Sequence, residues 1–476
     1  MKLVRPRAIV VIVAAILSAV LADTDQNTEA SRPSGGRRPN ILLVMADDLG
    51  WMDVGCQGDP RVDTPHIDRL AQQGMRFTDA YAAAPVCSPT RAAVLTGLSP
   101  ARLRITNHLP DQKRFIPEEA KLLPAAMLDH LPLERVTFAE RLQEAGYATG
   151  FFGKWHLAGR AGREGRGLVQ FYPEHQGFGL NVAGCAHAGP PTYFDPYRIH
   201  TLPDRREGEY LPDRLADEVI AFMRANRDGP FLAVLWNYAV HWPMEAPPEL
   251  VKKYESRVGP GVKDARYAAM TEALDRSLGR IFAALEDLGL QDNTMVLFTS
   301  DNGPFLGVAN AKPLRSGKGY LYEGGIRVPL IVRWPDRVAP GSVCHEPVIS
   351  MDFYPTFLEV TGVETDTTGP LDGESLMPLL TQAGDLERQA IYFHYPNYAF
   401  HRGNRLGGAI RKGDYKLIDF FGNDPPELYN LAEDQGETRD LATERPELVV
   451  SLRDELSRWR DASGAAMPRR ADVDER

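Results

Sequence analysis

The chain holds little cysteine: only Cys56, Cys87, Cys185 and Cys344 occur among 476 residues. No two of them share the short spacing of a thiolate metal site, which argues against structural zinc. One disulfide is open to these four, but a chain this long buries enough core to need none. There is no Asn-x-Ser/Thr sequon, an absence that points toward bacterial export rather than a glycosylating route. Basic runs and basic stripes are missing too. With 54 basic and 64 acidic residues the formal net charge is -10, so nucleic acid is not expected as a partner. Overall acidity still allows an anionic substrate, because positive charge can be concentrated inside a pocket. Beyond the first residues, no apolar run is long enough to span a membrane.

What is present begins with a targeting segment. Lys2, Arg5 and Arg7 precede an apolar run from Ala8 to Val20, and Val20-Leu21-Ala22 offers a cleavage site before Asp23. The run is shorter than the ~20 residues of a spanning helix, which favours a cleaved signal peptide over 1–22 against a membrane anchor. Residues 23–38 read as a polar, flexible lead-in. An exported protein, periplasmic or extracellular, is expected.

Strand and helix patterns then alternate. Residues 40–46 (NILLVMA) form an apolar run that ends in Asp47-Asp48. Thr64-Pro65 opens a helix with Ile67, Leu70 and Ala71 on one face, and Thr137 and Glu140 have capping-box spacing. Residues 147–152 return as a strand before Gly153-Lys154-Trp155-His156. Residues 230–238 form another, running toward His241, and 294–300 a third, ending in Asp301-Asn302. Helices are expected around 215–223 and over 265–288. The alternation predicts an α/β fold: a mostly parallel sheet between helices, with ligands beyond the strands' carboxyl ends. After about residue 362 the texture changes. Strand-like pieces at 390–395, 408–412 and 415–420, a Gly413-Asp414 turn and a helix over 446–460 suggest a smaller α+β domain. The expected division is 39–375 and 376–476.

The polar clusters carry the chemistry. Asp47, Asp48, Asp301 and Asn302 offer hard oxygen donors at two strand ends, suited to Ca²⁺ or Mg²⁺. Taken singly, each pair is as easily explained by turn and cap chemistry. Cys87-Ser88-Pro89-Thr90-Arg91 stands at the start of a helix expected over 90–97, where free N–H groups attract an anion. Arg91 lies one turn after Cys87 on the same side. The plainer alternatives are a buried apolar Cys and a surface Arg. Lys154 and His156 would point the same way in an extended segment. With His241 and Lys318 they would make an oxyanion pocket if gathered at one rim.

Cys87-Ser88-Pro89-Thr90-Arg91 resembles the C-x-P-x-R signature of type I, formylglycine-dependent sulfatases, in the arylsulfatase and N-acetylgalactosamine-sulfatase branch of the alkaline phosphatase superfamily. The neighbouring text agrees: PNILLVMADDLGWMDVG at 39–55, GYATGFFGKWHLA at 146–158, LFTSDNG at 297–303 and EGGIRVPLIVRWP at 323–335. The resemblance spans residues 39–460. It implies that Cys87 is oxidised to Cα-formylglycine by a formylglycine-generating or anaerobic sulfatase-maturating enzyme. It also implies that Asp47, Asp48, residue 87, Asp301 and Asn302 hold calcium. Arg91 and Lys154 would hold the aldehyde hydrate, with His156 beside one hydroxyl, and Lys154, His241 and Lys318 would contact the sulfate. The implied fold is a large mixed sheet with a small C-terminal antiparallel sheet, and the implied substrate is a sulfated carbohydrate. Candidate sugar contacts are Asn107, His108, His175, Trp242 and Arg411, most of them equally readable as ordinary loop residues. A phosphoester or phosphonate-ester hydrolase and a non-catalytic glycan binder stand as alternatives.

Overall fold

The computed structural model describes residues 37–471, apart from 59–60, 111–112, 163–164, 365–368 and 402. The expected signal peptide and most of the lead-in lie outside the described residues. Eight strands form the main sheet: β1 (Asn40–Ala46), β2 (Met75–Phe77), β3 (Ala148–Gly153), β4 (Leu180–Val182), β5 (Phe231–Trp236), β6 (Thr294–Ser300), β7 (Leu330–Arg333) and β8 (Ser342–Cys344). Their order is β8-β2-β7-β6-β1-β5-β3-β4. β7 runs antiparallel to both neighbours, and every other pairing is parallel.

The centre of the sheet explains its own sequence. β1 lies between β5 and β6, with Ile41 opposite Leu232 on one side and Met295 on the other. All residues of these three strands are buried. A parallel strand covered on both faces reads as an unbroken apolar run. Because β1, β3, β5 and β6 are parallel, their carboxyl ends reach the same rim.

Helix α1 (Pro65–Gln73) buries the expected Ile67, Leu70 and Ala71. The next helix in the rim, α2 (Cys87–Thr96), begins three residues earlier than expected, with Cys87 at its first position. No side chain caps its start; instead Thr90 Oγ1 accepts from Ala84 N–H and donates to the Ala84 carbonyl, tying down the approach. Gly97, at φ 68°, ends it in the left-handed conformation that glycine adopts without strain. The capping box at Thr137 and Glu140 is formed in both directions. Helices α3 (Leu211–Ala225) and α4 (Ala265–Asp287) pack on each other, and α1 also packs on α4.

The C-terminal region carries a four-stranded antiparallel sheet of β9 (Ala390–Tyr395), β10 (Gly407–Lys412), β11 (Tyr415–Phe420) and β12 (Glu427–Asn430), in that order. Alternation along its strands sends side chains two ways. Ile410, Leu417 and Leu428 meet Leu452 and Leu456 of helix α5 (Pro446–Ser463). Ala409, Ile418 and Tyr429 turn the other way and pack with Val86 and Ala93 around the start of α2. The small sheet therefore buttresses the helix that carries Cys87. Among the described residues no helix is long and apolar enough to cross a membrane, and all four cysteines are free.

Candidate active site

Cys87 sits at the first position of α2, its side chain buried beneath the rim of the main sheet. Its Sγ lies 3.6 Å from Asp47 Oδ1 and 4.0 Å from Asp48 Oδ1. One donor atom from each of Asp47, Asp48, Cys87 and Asp301 falls within 4.8 Å of the others. Asp47 and Asp48 follow β1 and Asp301 follows β6, so neighbouring parallel strands deliver all three carboxylates to one point. Asp48 takes a left-handed backbone, φ 61°, a strained state of the kind held at functional sites.

Three cations face the three carboxylates. Arg91 donates from Nε (3.0 Å) and Nη2 (2.6 Å) to Asp301 Oδ2 and from Nη1 to the Lys154 carbonyl (2.7 Å). Its guanidinium also lies 5.3 Å from the Trp236 ring centre. Lys154 Nζ donates to Asp47 Oδ2 at 2.6 Å, and Lys318 Nζ lies 2.6 Å from Asp48 Oδ1. Burial pushes Asp47 up to about 7 despite Lys154. Burial also opposes ionisation of Asp48, but Lys318, His241 and Lys154 outweigh it and hold the carboxyl well below the usual range. The Cys87 thiol is pushed up to about 12, first by burial and then by Asp301. Unmodified, it is a protonated thiol and a poor nucleophile.

Asn302 Nδ2 donates to Asp48 Oδ1 at 2.7 Å, leaving Asn302 Oδ1 buried without a partner. A dry acceptor beside three carboxylates is what a hard cation needs, so the donor set fits Ca²⁺. His241 completes the rim after β5. Its Nδ1 is 2.8 Å from the Trp242 carbonyl and its Nε2 3.8 Å from Asp48 Oδ2. Burial, then Lys154 and Lys318, lower it to about 3.

The sulfatase family model matches residues 39–363. The chain belongs to the sulfatase family. Its C-terminal part, residues 316–462, also matches the model described as N-sulphoglucosamine sulphohydrolase, C-terminal. A sulfatase of Formosa agariphila is 31% identical, covering 94% of this chain and 93% of its own. Human arylsulfatase A is 34% identical, covering 88% of this chain and 87% of its own. Among solved structures, Ps i-CgsB in complex with k-i-k-neocarrahexaose is similar at 30% identity and a TM-score of 0.76, covering 89% of this chain and 93% of that one. The chain is thus a sulfuric ester hydrolase with the alkaline-phosphatase-like architecture expected of it.

This sulfatase gathers Asp47, Asp48, Cys87, Arg91, Lys154, His241, Asp301, Asn302 and Lys318 in one linked cluster. His156 lies in the same region, but not by the expected extended alternation with Lys154. Gly153 (φ 105°) and His156 (φ 57°) both turn the chain left-handed. Lys154 reaches Asp47, whereas His156 Nε2 donates to the Leu109 carbonyl. His108 is half-buried and pushed down to about 3 by desolvation and by nearby Lys318 and Lys154, which places it beside the cluster. Asn107 is buried as a tie instead, accepting from Tyr395 O–H (3.0 Å) and donating to the Tyr398 carbonyl (3.3 Å). Trp242 is 56% exposed beside His241, and His175 is exposed on a short turn, Pro173–His175.

Arg411, also among the sugar candidates, has other partners. It is buried in a different cluster, donating to Asp79 Oδ1 (2.6 Å) and to Tyr81 Oη, because β10 turns it toward the main sheet rather than toward solvent. Sequence reasoning also missed supporting groups. Tyr267 O–H donates to Asp53 Oδ2 (2.6 Å), and the same oxygen lies 3.1 Å from the Asp48 carbonyl. Ser300 Oγ accepts from Leu49 N–H (3.1 Å) and donates to the Asn302 carbonyl (3.0 Å). Ser300 was findable, being the last residue of β6; Tyr267 carried no local signal.

Proposed function

We propose that this sulfatase removes sulfate from a sulfated carbohydrate outside the cytoplasm, with Cys87 converted to Cα-formylglycine and calcium held by Asp47, Asp48, residue 87, Asp301 and Asn302. The observation that carries the reading is the burial of Cys87 against three carboxylates and three cations. A free thiol pushed up to about 12 has little use there. Converted, residue 87 would offer a geminal pair of hydroxyls, one nucleophilic toward sulfur and one able to release sulfate afterwards, and calcium held by Asp47, Asp48, Asp301 and Asn302 would favour the ionised oxygen.

The chain's own groups do the rest. Arg91 and Lys154, paired with Asp301 and Asp47, orient residue 87. Lys318 Nζ–H binds a sulfate oxygen and delivers a proton to the departing sugar oxygen. His241, whose Nδ1–H donates to the Trp242 carbonyl, lines the sulfate site and donates from Nε2 when that nitrogen is also protonated. His156 Nδ1, buried and unpartnered, takes the proton of the second hydroxyl. A sulfated-glycan substrate is supported by the likeness to a structure named with k-i-k-neocarrahexaose. Export rests on the N-terminal segment, and conversion of Cys87 requires a maturation enzyme as partner. A separate small domain over 376–476 is supported by its own sheet and helix.

The test is free sulfate released from defined sulfated galactose, N-acetylgalactosamine, glucosamine, uronic acid and fucose units by enzyme whose residue 87 is converted. Release from one sugar and position, absent in Cys87→Ala, supports the reading. Faster turnover of matched phosphate esters would replace it with the phosphoester alternative, and tight glycan binding without release would replace it with the binder.

A further inference from the structure

Ser88, one residue past Cys87, is wholly buried. Its Oγ donates to the His156 carbonyl at 3.0 Å and accepts from Leu109 N–H at 3.0 Å. The circuit closes through Leu109, whose carbonyl accepts from His156 Nε2. Three segments are thereby locked together: the start of α2, the turn after β3, and the loop around 107–109. A hydroxyl is the side chain that donates and accepts at one atom, so alanine at this position would break two of the three links.

The circuit also settles which ring nitrogen carries a proton. A carbonyl cannot donate, so the link to Leu109 requires the proton on His156 Nε2. Nδ1 then presents a lone pair, and that atom is buried with no hydrogen-bond partner. An unpaired buried acceptor is costly, which points to a donor that arrives with the reaction. His156 also holds a left-handed backbone, φ 57°, and its carbonyl is one of the two backbone groups that Ser88 clasps.

We propose that Ser88 is a positioning residue, fixing His156 as the Nε2–H tautomer with Nδ1 free to accept a proton at residue 87. The proposal rests on the role given above to His156. It assigns a function to the second residue of the Cys87 motif, which otherwise only separates Cys87 from Pro89.

The experiment uses ¹⁵N-histidine-labelled full-length enzyme, with His156→Gln to assign the signal. Sulfate release is expressed per molecule converted at residue 87. The expected result is a wild-type His156 protonated at Nε2 and bare at Nδ1. In Ser88→Ala a mixture of tautomers appears, and kcat falls about ten- to a hundredfold with KM little changed. Ser88→Thr, which keeps the hydroxyl, restores the tautomer. A wild-type ring protonated at Nδ1 overturns the proposal, even if Ser88→Ala fails to fold. So does a folded Ser88→Ala with unchanged ring signals and unchanged kcat, or with a loss confined to KM. An enzyme that releases no sulfate yet shows the Nε2–H ring would overturn the proposed function while supporting the clamp.

Discussion

Arg91 grips Asp301 twice, through Nε at 3.0 Å and Nη2 at 2.6 Å, with both side chains fully buried. Lysine cannot reproduce that fork, and a buried carboxylate left with a single contact is poorly compensated. Arg91→Lys is therefore expected to lower kcat/KM for sulfate release by about a hundredfold or more, counted per converted molecule. An unchanged rate would remove Arg91 from the machinery.

Metal removal follows from the donor set. Chelation is expected to abolish sulfate release and lower the melting temperature, and calcium is expected to restore both. A ligand at a hundredfold excess over its Kd stabilises by about 2.7 kcal/mol. Asp301→Asn should weaken calcium binding measured by calorimetry without needing substrate. Calcium that leaves the melting curve untouched would contradict the assignment of these ligands.

Glu437 gives a pH dependence away from the proposed calcium ligands. Lys416 Nζ is shared between Glu323 Oε1 (2.8 Å) and Glu437 Oε1 (2.9 Å), so one lysine serves two buried carboxylates. Arg327 also attends Glu323 (3.3 Å), and burial raises Glu437 to about 7. A carboxyl raised on folding binds its proton more tightly in the native state. Its contribution is present below its ordinary value near 4.5 and lost as pH rises through 7. Melting temperature should fall less between pH 5 and 8 in Glu437→Gln than in the wild type. Parallel profiles would refute the assignment.

Arg411 separates structure from recognition. Its buried pairing with Asp79 predicts that Arg411→Ala costs about 3–5 kcal/mol of stability. Calcium affinity and KM are expected to stay unchanged in the folded fraction. A raised KM with normal stability would make Arg411 a sugar contact.

Much of this arrangement was legible in the residues because its central strands are covered on both faces. The runs at 40–46, 230–238 and 294–300 are largely apolar, and each leads into chemistry. Helix α2 was harder to place. Cys87 and Ser88 are poor helix formers, Val86 offers no cap, and the helix starts there because Thr90 ties back to Ala84 while Ser88 is held by His156 and Leu109. Periodicity could not show that the chain turns left-handed at Gly153 and His156, since φ is not written in alternation. β12 and β7, of four residues each, are too short to carry a pattern. Arg411 was readable as a sugar contact because nothing local reveals that Asp79, 332 positions earlier, lies against it.

The most direct test of the central claim is the sulfate-release rate against the fraction of residue 87 found as formylglycine by peptide mass, across preparations of differing conversion. A rate proportional to that fraction, passing through zero in Cys87→Ala, is expected. Equal rates from converted and unconverted enzyme would contradict it.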